Sequence, residues 1–157
     1  MHTVLWSRAW EGEIRIMPVT NLARSDVVTA STDESVQQLA TMMDDESIGS
    51  VVITDGSEPV GIVTDRDLAI HLVAEAESPD DVTAADVMSS DLCTIEHDGG
   101  FYEATELMSE HGVRRLPVVD GDGSLSGIIT IDDLNELLAD EHQQLAAVVQ
   151  AQRPPYE

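Results

Sequence analysis

The chain has no lysine, one cysteine and few aromatic side chains. The lack of lysine limits the partners that the protein can bind, and the single cysteine indicates the compartment it comes from. Its seven basic residues, all arginines, face 31 carboxylates, which gives a net charge of −24. Such a surface repels nucleic acid and anionic membranes, so we expect neither as a partner. The single Cys93 cannot form an internal disulfide, which is typical of proteins from a reducing compartment.

Long apolar runs are also missing. No stretch approaches the roughly 18 apolar residues that span a bilayer. The first 16 residues carry Arg8, Glu11, Glu13 and Arg15 where a secretory signal would have an apolar core. We therefore expect a cytoplasmic protein. A lysine-free acidic surface is typical of salt-loaded cytoplasm, where counterions screen the self-repulsion, so we also expect a halophilic protein.

An internal repeat organises the rest of the chain. At an offset of 65 residues, five positions of the first copy recur in the second, and after one inserted residue five more recur at an offset of 66. The first set is Thr29, Asp33, Met43, Asp55 and Gly56; the second set is Gly61, Ile62, Thr64, Asp67 and Leu68. The chain is a tandem duplication.

Each copy begins with a short strand and an amphipathic helix. We predict the strands at 27–29 and 92–95. Ser31 and Glu34 have capping-box spacing and predict the start of the first helix, and Asp98 predicts the start of its counterpart.

Each copy continues with a hairpin, "SVVIT" and "PVGIVT" or "RLPVVD" and "LSGIIT", and then a second helix that begins at Thr64 or Thr130. The order β-α-β-β-α is thus repeated, with "EAESPDDVTA" as an exposed join. The expected organisation is an extension at 1–17, repeats at 18–78 and 84–140, a linker at 79–83, and a helical extension with a tail at 141–157.

The two units resemble CBS domains. "GSVVITDGSEPVGIVTDRDL" and "HGVRRLPVVDGDGSLSGIITIDDL" are similar to the family pattern through both hairpins and both second helices. The resemblance implies an α/β (α+β) fold in which two tandem β-α-β-β-α repeats pack with pseudo-twofold symmetry as a Bateman module. It also implies adenosyl ligands in the clefts between the repeats, without naming the ligand.

The repeated Thr-x-x-Asp motif has two interpretations that can both hold. Thr64 with Asp67, and Thr130 with Asp133, have the spacing of a capping box that begins a helix. A helix N-terminus also suits a phosphate, and an aspartate there can accept both hydroxyls of a ribose. The resemblance implies this nucleotide role, with the threonine near phosphate and the aspartate near ribose.

Three of the seven arginines, Arg66, Arg114 and Arg115, lie inside the motif segments. Guanidinium groups bind phosphate oxygens through paired hydrogen bonds, and the resemblance places basic residues of "RRLPVV" against phosphate. The alternative is that these arginines pair with surface carboxylates. Asp132 stands in the second copy where the first has Arg66, so we expect two unequal sites.

Thr29 and Thr94 also become candidates through the resemblance, which implies that they border the cleft and contact the base. Their alternative role is that of ordinary strand residues.

No catalytic or metal motif is evident. The histidines lack the spacing of a zinc site, one cysteine cannot anchor a cluster, and there is no nucleophile elbow or P-loop. We expect no enzyme activity, no bound metal and no required cofactor.

The last predicted helix carries an apolar stripe beyond the end of the repeat, formed by Leu134, Leu137, Leu138, Leu145, Val148 and Val149 and ended by Pro154 and Pro155. The stripe favours a homodimer, and packing on the chain's own domain or on its Trp-bearing first 16 residues is the alternative.

Two functions remain. The first is a regulatory sensor in which an adenine nucleotide (AMP, ADP or ATP), or alternatively NAD or S-adenosylmethionine, bridges the repeats and alters binding to an unknown target protein. The second is a ligand-free assembly module, which leaves the arginine clustering unexplained.

The acidic surface predicts a salt-dependent fold. Lowering the salt from 1 M to 0.01 M lengthens the Debye length from about 3 Å to about 30 Å, so the carboxylates repel one another over longer distances. We expect the midpoint of a circular dichroism melt to fall on dilution from molar potassium chloride. An equal midpoint in dilute buffer would contradict the halophilic interpretation.

Overall fold

The computed structural model describes residues 18–153, which form two three-stranded sheets with flanking helices. In the first repeat the elements are β1 (Thr29–Ala30), α1 (Val36–Asp45), β2 (Ser50–Asp55), β3 (Glu58–Thr64) and α2 (Asp65–Ala69), which continues as a π-helical turn over Ile70–Ala74. In the second they are α3 (Ala84–Val87), β4 (Ile95–Glu96), α4 (Phe101–His111), β5 (Arg115–Val119), β6 (Leu125–Thr130) and α5 (Ile131–Ala151).

The two sheets have the same topology. In each, the short first strand runs parallel to the second, and the second pairs antiparallel with the third. Val52 faces Ile62 in one hairpin and Pro117 faces Ile128 in the other, and a bulge interrupts each ladder, after Ile53 and after Val118. Val51, Ile53 and Val63 belong to the core of the first repeat, and Val52, on the opposite face of β2, is buried as well.

The segment that leads into each repeat packs on the sheet of the other repeat. Arg24, which precedes the first repeat's strands, exchanges backbone hydrogen bonds with Ile128 on β6. Ser89 does the same with Ile62 on β3. Because the two exchanges are reciprocal, the repeats are joined around a pseudo-twofold axis. The hairpin turns also meet, where the Leu125 N–H donates to the Ser57 carbonyl at 2.8 Å.

Two glycines of the repeated motif permit this crossing. A Cβ on Gly61 would lie 2.5 Å from the sulfur of Met88, and a Cβ on Gly127 would lie 3.1 Å from the carbonyl oxygen of Arg24. A Cβ at position 61 would force the Met88 side chain to move, and one at position 127 would require the Arg24 backbone to shift by a few tenths of an ångström.

Each repeat has its own apolar core, which is completed by the segment that leads into the other repeat. We call these two segments, 19–24 and 82–89, the exchanged segments. Val82, Ala84 and Val87 belong to the core of the first repeat, whereas Val19 belongs to the core of the second. Val19 is completely buried, with Leu22 and Ala23 packed beside it.

The predicted starts of the first helices are wrong by a few residues. Ser35, not Ser31, caps α1 by accepting a hydrogen bond from the Gln38 N–H, and Gly100, not Asp98, precedes α4. In both cases the preceding backbone is bonded to the exchanged segment. The Ala84 N–H donates to the carbonyl of Glu34, and the Val19 N–H donates to the carbonyl of Gly99.

The predicted exposed join is also partly wrong. Val82 and Ala84 are buried because they fill the core of the first repeat, and the backbone bridge between Ser35 and Thr83 fixes them there. The first strands are shorter and later than predicted, at Thr29–Ala30 and Ile95–Glu96. The boundaries of the extension, repeats, linker and tail remain predictions, and residues 1–17 and 154–157 lie outside the described residues.

The last helix is longer than its packing requires. Leu134 is buried, but every residue from 141 to 151 is exposed, including Leu145, Val148 and Val149. Across residues 18–153, no helix combines the length and apolar character needed to cross a membrane.

Because Val19 is buried in the core of the second repeat, we predict that it stabilises the fold, although it precedes the strands of the first repeat. We expect Val19→Ala to lower the free energy of unfolding by roughly 1.5 to 3 kcal/mol, because it removes two buried carbon groups and leaves a cavity. Val73→Ala is the matched control, since Val73 is 80% exposed, and its effect should stay below about 0.5 kcal/mol. Urea unfolding in molar potassium chloride measures both, and equal effects would contradict the exchange.

Candidate ligand clefts between the repeats

Two clefts lie between the repeats at positions related by the pseudo-twofold axis. The first cleft has a volume of about 610 Å³ and the second about 230 Å³. Thr64, Arg66, Ser89, Leu92 and Cys93 line the first cleft, and their counterparts Thr130, Asp132, Arg24, Val27 and Val28 line the second. Small-molecule sites usually enclose about 300 to 1,000 Å³, a range that includes the first cleft alone.

In the first cleft the capping box leaves part of its carboxylate free. Oδ2 of Asp67 accepts from the backbone N–H of Thr64 at 2.9 Å and from its hydroxyl at 2.6 Å. The Asp67 N–H donates in turn to the Thr64 hydroxyl oxygen at 3.2 Å. Within residues 18–153, Oδ1 of Asp67 has no hydrogen-bond partner. A carboxylate has about four acceptor sites, so roughly two remain available at Oδ1.

At the second cleft the corresponding carboxylate, that of Asp133, does not line the cleft, although Thr130 and Arg24 do, and it is fully occupied. Oδ2 of Asp133 accepts from the N–H and hydroxyl of Thr130 at 2.9 and 2.7 Å. Oδ1 accepts from Nε and Nη2 of Arg24 at 3.2 and 3.0 Å. The Asp133 side chain is 9% exposed, whereas that of Arg24 is 65% exposed. The four donors account for the four acceptor sites of this carboxylate.

The three predicted arginines come together at the first cleft, which Arg66, Arg114 and Arg115 all line. Arg115 also lines the second cleft. In the described part of the chain, none of the three has a carboxylate oxygen within 4.0 Å. The alternative that they serve surface ion pairs is therefore not what the structure shows. The first cleft also contains Asp65, Asp67 and Asp91, whose three negative charges balance those of the three arginines.

Thr29 and Thr94 are not among the residues that line either cleft. Thr29 pairs with Val52 in the sheet, which matches its alternative role as a strand residue. The neighbouring Val28 and Cys93 line the clefts instead. Burial, together with the charges of Asp91 and Glu110, raises the pKa of the Cys93 thiol above its usual value. The thiol is therefore neutral and serves as a small apolar wall of the first cleft.

The sequence reasoning missed Arg24 as a cleft residue. One signal was present in the repeat itself, because an offset of 65 aligns Arg24 with Ser89 and thus marks a difference between the copies. What the sequence lacked was any sign that residue 24 lies beside Asp133.

One group of potential metal ligands lies outside the clefts. His71, Glu75 and Glu77 place ligand atoms within 4.8 Å of one another, and His71 Nδ1 lies 3.4 Å from Glu75. Both glutamates are exposed, and exposed acidic groups are often this close without a cation. The expectation of no bound metal remains a prediction.

Comparison with known proteins identifies the family. The pattern of the CBS domain matches residues 19–74 and again 84–140. These two matches cover most of the chain, which therefore belongs to the CBS domain family.

One curated relative and two solved structures illustrate the similarity. The uncharacterized protein MK0525 of Methanopyrus kandleri is 44% identical over 122 residues, which are 77% of this chain and 62% of that protein. This chain thus spans less than two thirds of that relative. The CBS domain pair of protein MJ0100, in complex with 5'-methylthioadenosine and S-adenosyl-L-methionine, matches with a TM-score of 0.70 and 25% identity over 77% of this chain and 98% of that one.

The CBS domain protein PAE2072 of Pyrobaculum aerophilum, complexed with AMP, matches with a TM-score of 0.69 and 25% identity over 74% of this chain and 89% of that one. Both structures confirm the predicted fold, a pair of tandem repeats of mixed α/β architecture.

Proposed function

We propose that the protein is a non-catalytic regulatory module that binds a phosphate-bearing adenosyl ligand in the first cleft. The observation that carries the proposal is the Asp67 Oδ1, which has no partner among residues 18–153, in one cleft with three arginines that have no carboxylate partner in the same range. A ribose needs acceptors for two hydroxyl donors, and a phosphate needs guanidinium donors. The first cleft offers both within one volume of about 610 Å³.

The bound ligand would join the two repeats. Thr64, Arg66 and Asp67 line the cleft from the first repeat, whereas Arg114 and Arg115 line it from the second. A ligand that contacts both sides stabilises one relative orientation of the repeats. Transmission to a target protein follows if that target binds one orientation better than the other.

The arginines rank the candidate ligands. AMP, ADP and ATP bring anionic phosphates, and NAD brings a pyrophosphate, whereas S-adenosylmethionine brings a sulfonium cation that the arginines repel. The AMP complex of PAE2072 and the methylthioadenosine complex of MJ0100 support an adenosyl ligand in general. The guanidinium donors of the first cleft favour the adenine nucleotides among them, although Asp65, Asp67 and Asp91 balance the charge of the three arginines.

The proposal predicts that Asp67→Asn separates capping from ligand binding. The amide oxygen can accept the two Thr64 bonds that Oδ2 accepts now, but the amide nitrogen cannot accept a ribose hydroxyl in place of Oδ1. We expect nearly unchanged stability and an affinity for AMP that falls by about 1.5 to 3 kcal/mol, roughly tenfold to a hundredfold, in calorimetric titrations in molar potassium chloride.

Asp133→Asn is the matched control, because it changes the same motif in the other cleft and should leave the first-cleft affinity unchanged. In the same titrations Arg66→Ala should weaken AMP more than adenosine, since it removes charge and leaves the ribose contacts. An AMP affinity that Asp67→Asn does not change would reduce the motif to helix capping, and absence of any AMP binding to the wild type would return the protein to the class of assembly modules.

The exposed end of α5 supports a second element of the proposal, a homodimer. Leu145 is 61% exposed, and Val148 and Val149 are each 56% exposed. Residues 142–153 contain no carboxylate, although the whole chain has 31. A face without negative charge is where two copies at −24 each can meet with least repulsion.

The homodimer is tested with two variants of α5, each of which places one carboxylate on a different face of the helix. Leu145→Asp introduces a carboxylate into the apolar face, whereas Gln143→Asp introduces it on the opposite face, because two residues correspond to about 200° of helical rotation. We expect light scattering to show a dimer for the wild type and Gln143→Asp, and a monomer for Leu145→Asp. A monomeric wild type, or equal masses for both variants, would exclude this interface.

A further inference from the structure

We propose that Arg24 closes the second cleft to adenosyl ligands, so that each chain binds one such ligand, in the first cleft. This inference rests on the proposed function of the Thr-x-x-Asp motif and adds a residue that decides which of its two copies is used. It assigns to Arg24 a role in selecting the site, with no contact to the ligand.

The carboxylate of the second motif has no acceptor site left for a ribose. Arg24 places two nitrogens on Oδ1 of Asp133, at 3.2 and 3.0 Å, while the Thr130 N–H and hydroxyl occupy Oδ2. A ribose that entered this cleft would first have to displace the guanidinium. Asp133 is 9% exposed, so breaking the pair also leaves a largely buried carboxylate without its cation.

The guanidinium also takes up space in the cleft. Arg24 lines the second cleft, whose volume of about 230 Å³ compares with about 610 Å³ for its pseudo-symmetric counterpart. It also lines a neighbouring concavity of about 630 Å³, which shares Asp26, Val28 and Ile48 with the second cleft. Arg24 therefore borders both spaces.

The first cleft shows what the site is like without this arginine. Ser89 occupies the position that corresponds to Arg24, and both residues make the same pair of backbone hydrogen bonds across the opposite sheet, with Ile62 and Ile128 respectively. Because the backbone is held in the same way, the two sites differ at this position only in the side chain. A serine is too short to reach the aspartate of the motif, and Oδ1 of Asp67 stays free.

The remaining charge of the second cleft would not attract a nucleotide. Asp26 and Asp132 line it, and once Arg24 is paired with Asp133, Arg115 is the cation that faces the ligand space. Phosphates are therefore disfavoured as well as the ribose. Adenosine, which carries no charge, is the probe that separates the action of Arg24 on the ribose from this electrostatic difference.

The test exchanges the two residues. Arg24→Ser gives the second cleft the side chain that the first cleft has, and Ser89→Arg gives the first cleft the arginine. Adenosine is titrated into isotopically labelled protein in molar potassium chloride. Amide chemical shifts of Thr64 and Asp65 report on the first cleft, and those of Thr130 and Ile131 report on the second. Arg153→Ser is the control for loss of an exposed arginine, and thermal melts confirm that each variant is folded.

In the wild type and in Arg153→Ser, we expect adenosine to shift the first-cleft amides only. In Arg24→Ser the second-cleft amides should also respond, with an affinity that rises by about tenfold or more, the change that one charge-assisted hydrogen bond produces. In Ser89→Arg the first-cleft response should fall by a similar factor.

Three outcomes would overturn the inference. Binding of adenosine in both clefts of the wild type would show that Arg24 does not close the second cleft, while the proposed function of the first cleft would stand. A second cleft that stays silent in folded Arg24→Ser would remove the gating role in the same way. AMP binding in the calorimetric titrations with no adenosine response in any protein would overturn this inference alone, whereas absence of AMP binding as well would also overturn the proposed function.

Discussion

The structure depends on the reciprocal exchange of the two leading segments across the pseudo-twofold axis. Arg24 bonds to Ile128 and Ser89 bonds to Ile62, and each segment lies against a glycine of the opposite strand, Gly127 or Gly61, where a Cβ would be crowded. Since each repeat is completed by residues that precede the other, neither is an independent unit. The clefts between the repeats, and the identity of the residues that face each other across them, follow from this crossing.

The exchange gives two identical motifs different chemistry. Thr-x-x-Asp caps a helix in both repeats with nearly the same distances, and capping uses one oxygen of each aspartate. What happens to the other oxygen depends on the exchanged segment, which supplies Arg24 to Asp133 and Ser89 near Asp67. Duplication therefore preserved the local structure, while a difference at one position far away in the chain made the two copies chemically unequal.

The charged residues are also distributed unevenly over the molecule. A chain at −24 has few cations, yet three of the seven arginines line one cleft without a carboxylate partner among the described residues, and the last turns of α5 contain no carboxylate. Elsewhere the acids are spread over exposed positions, which dense counterions can screen. The two departures from this pattern mark the surfaces on which the proposed function depends.

The sequence by itself determined both hairpins and the caps of both second helices, which are held by neighbours in the chain. Both hairpins and the caps at Thr64 and Thr130 were predicted correctly because their hydrogen bonds close within a few residues. The starts of α1 and α4 were misplaced because the backbone before them is bonded to segments far away in the chain. The pair between Arg24 and Asp133 joins residues 109 positions apart. Only the tertiary structure could reveal this ion pair. A contact between distant segments depends on how the repeats pack, and it leaves no periodicity or spacing in the sequence.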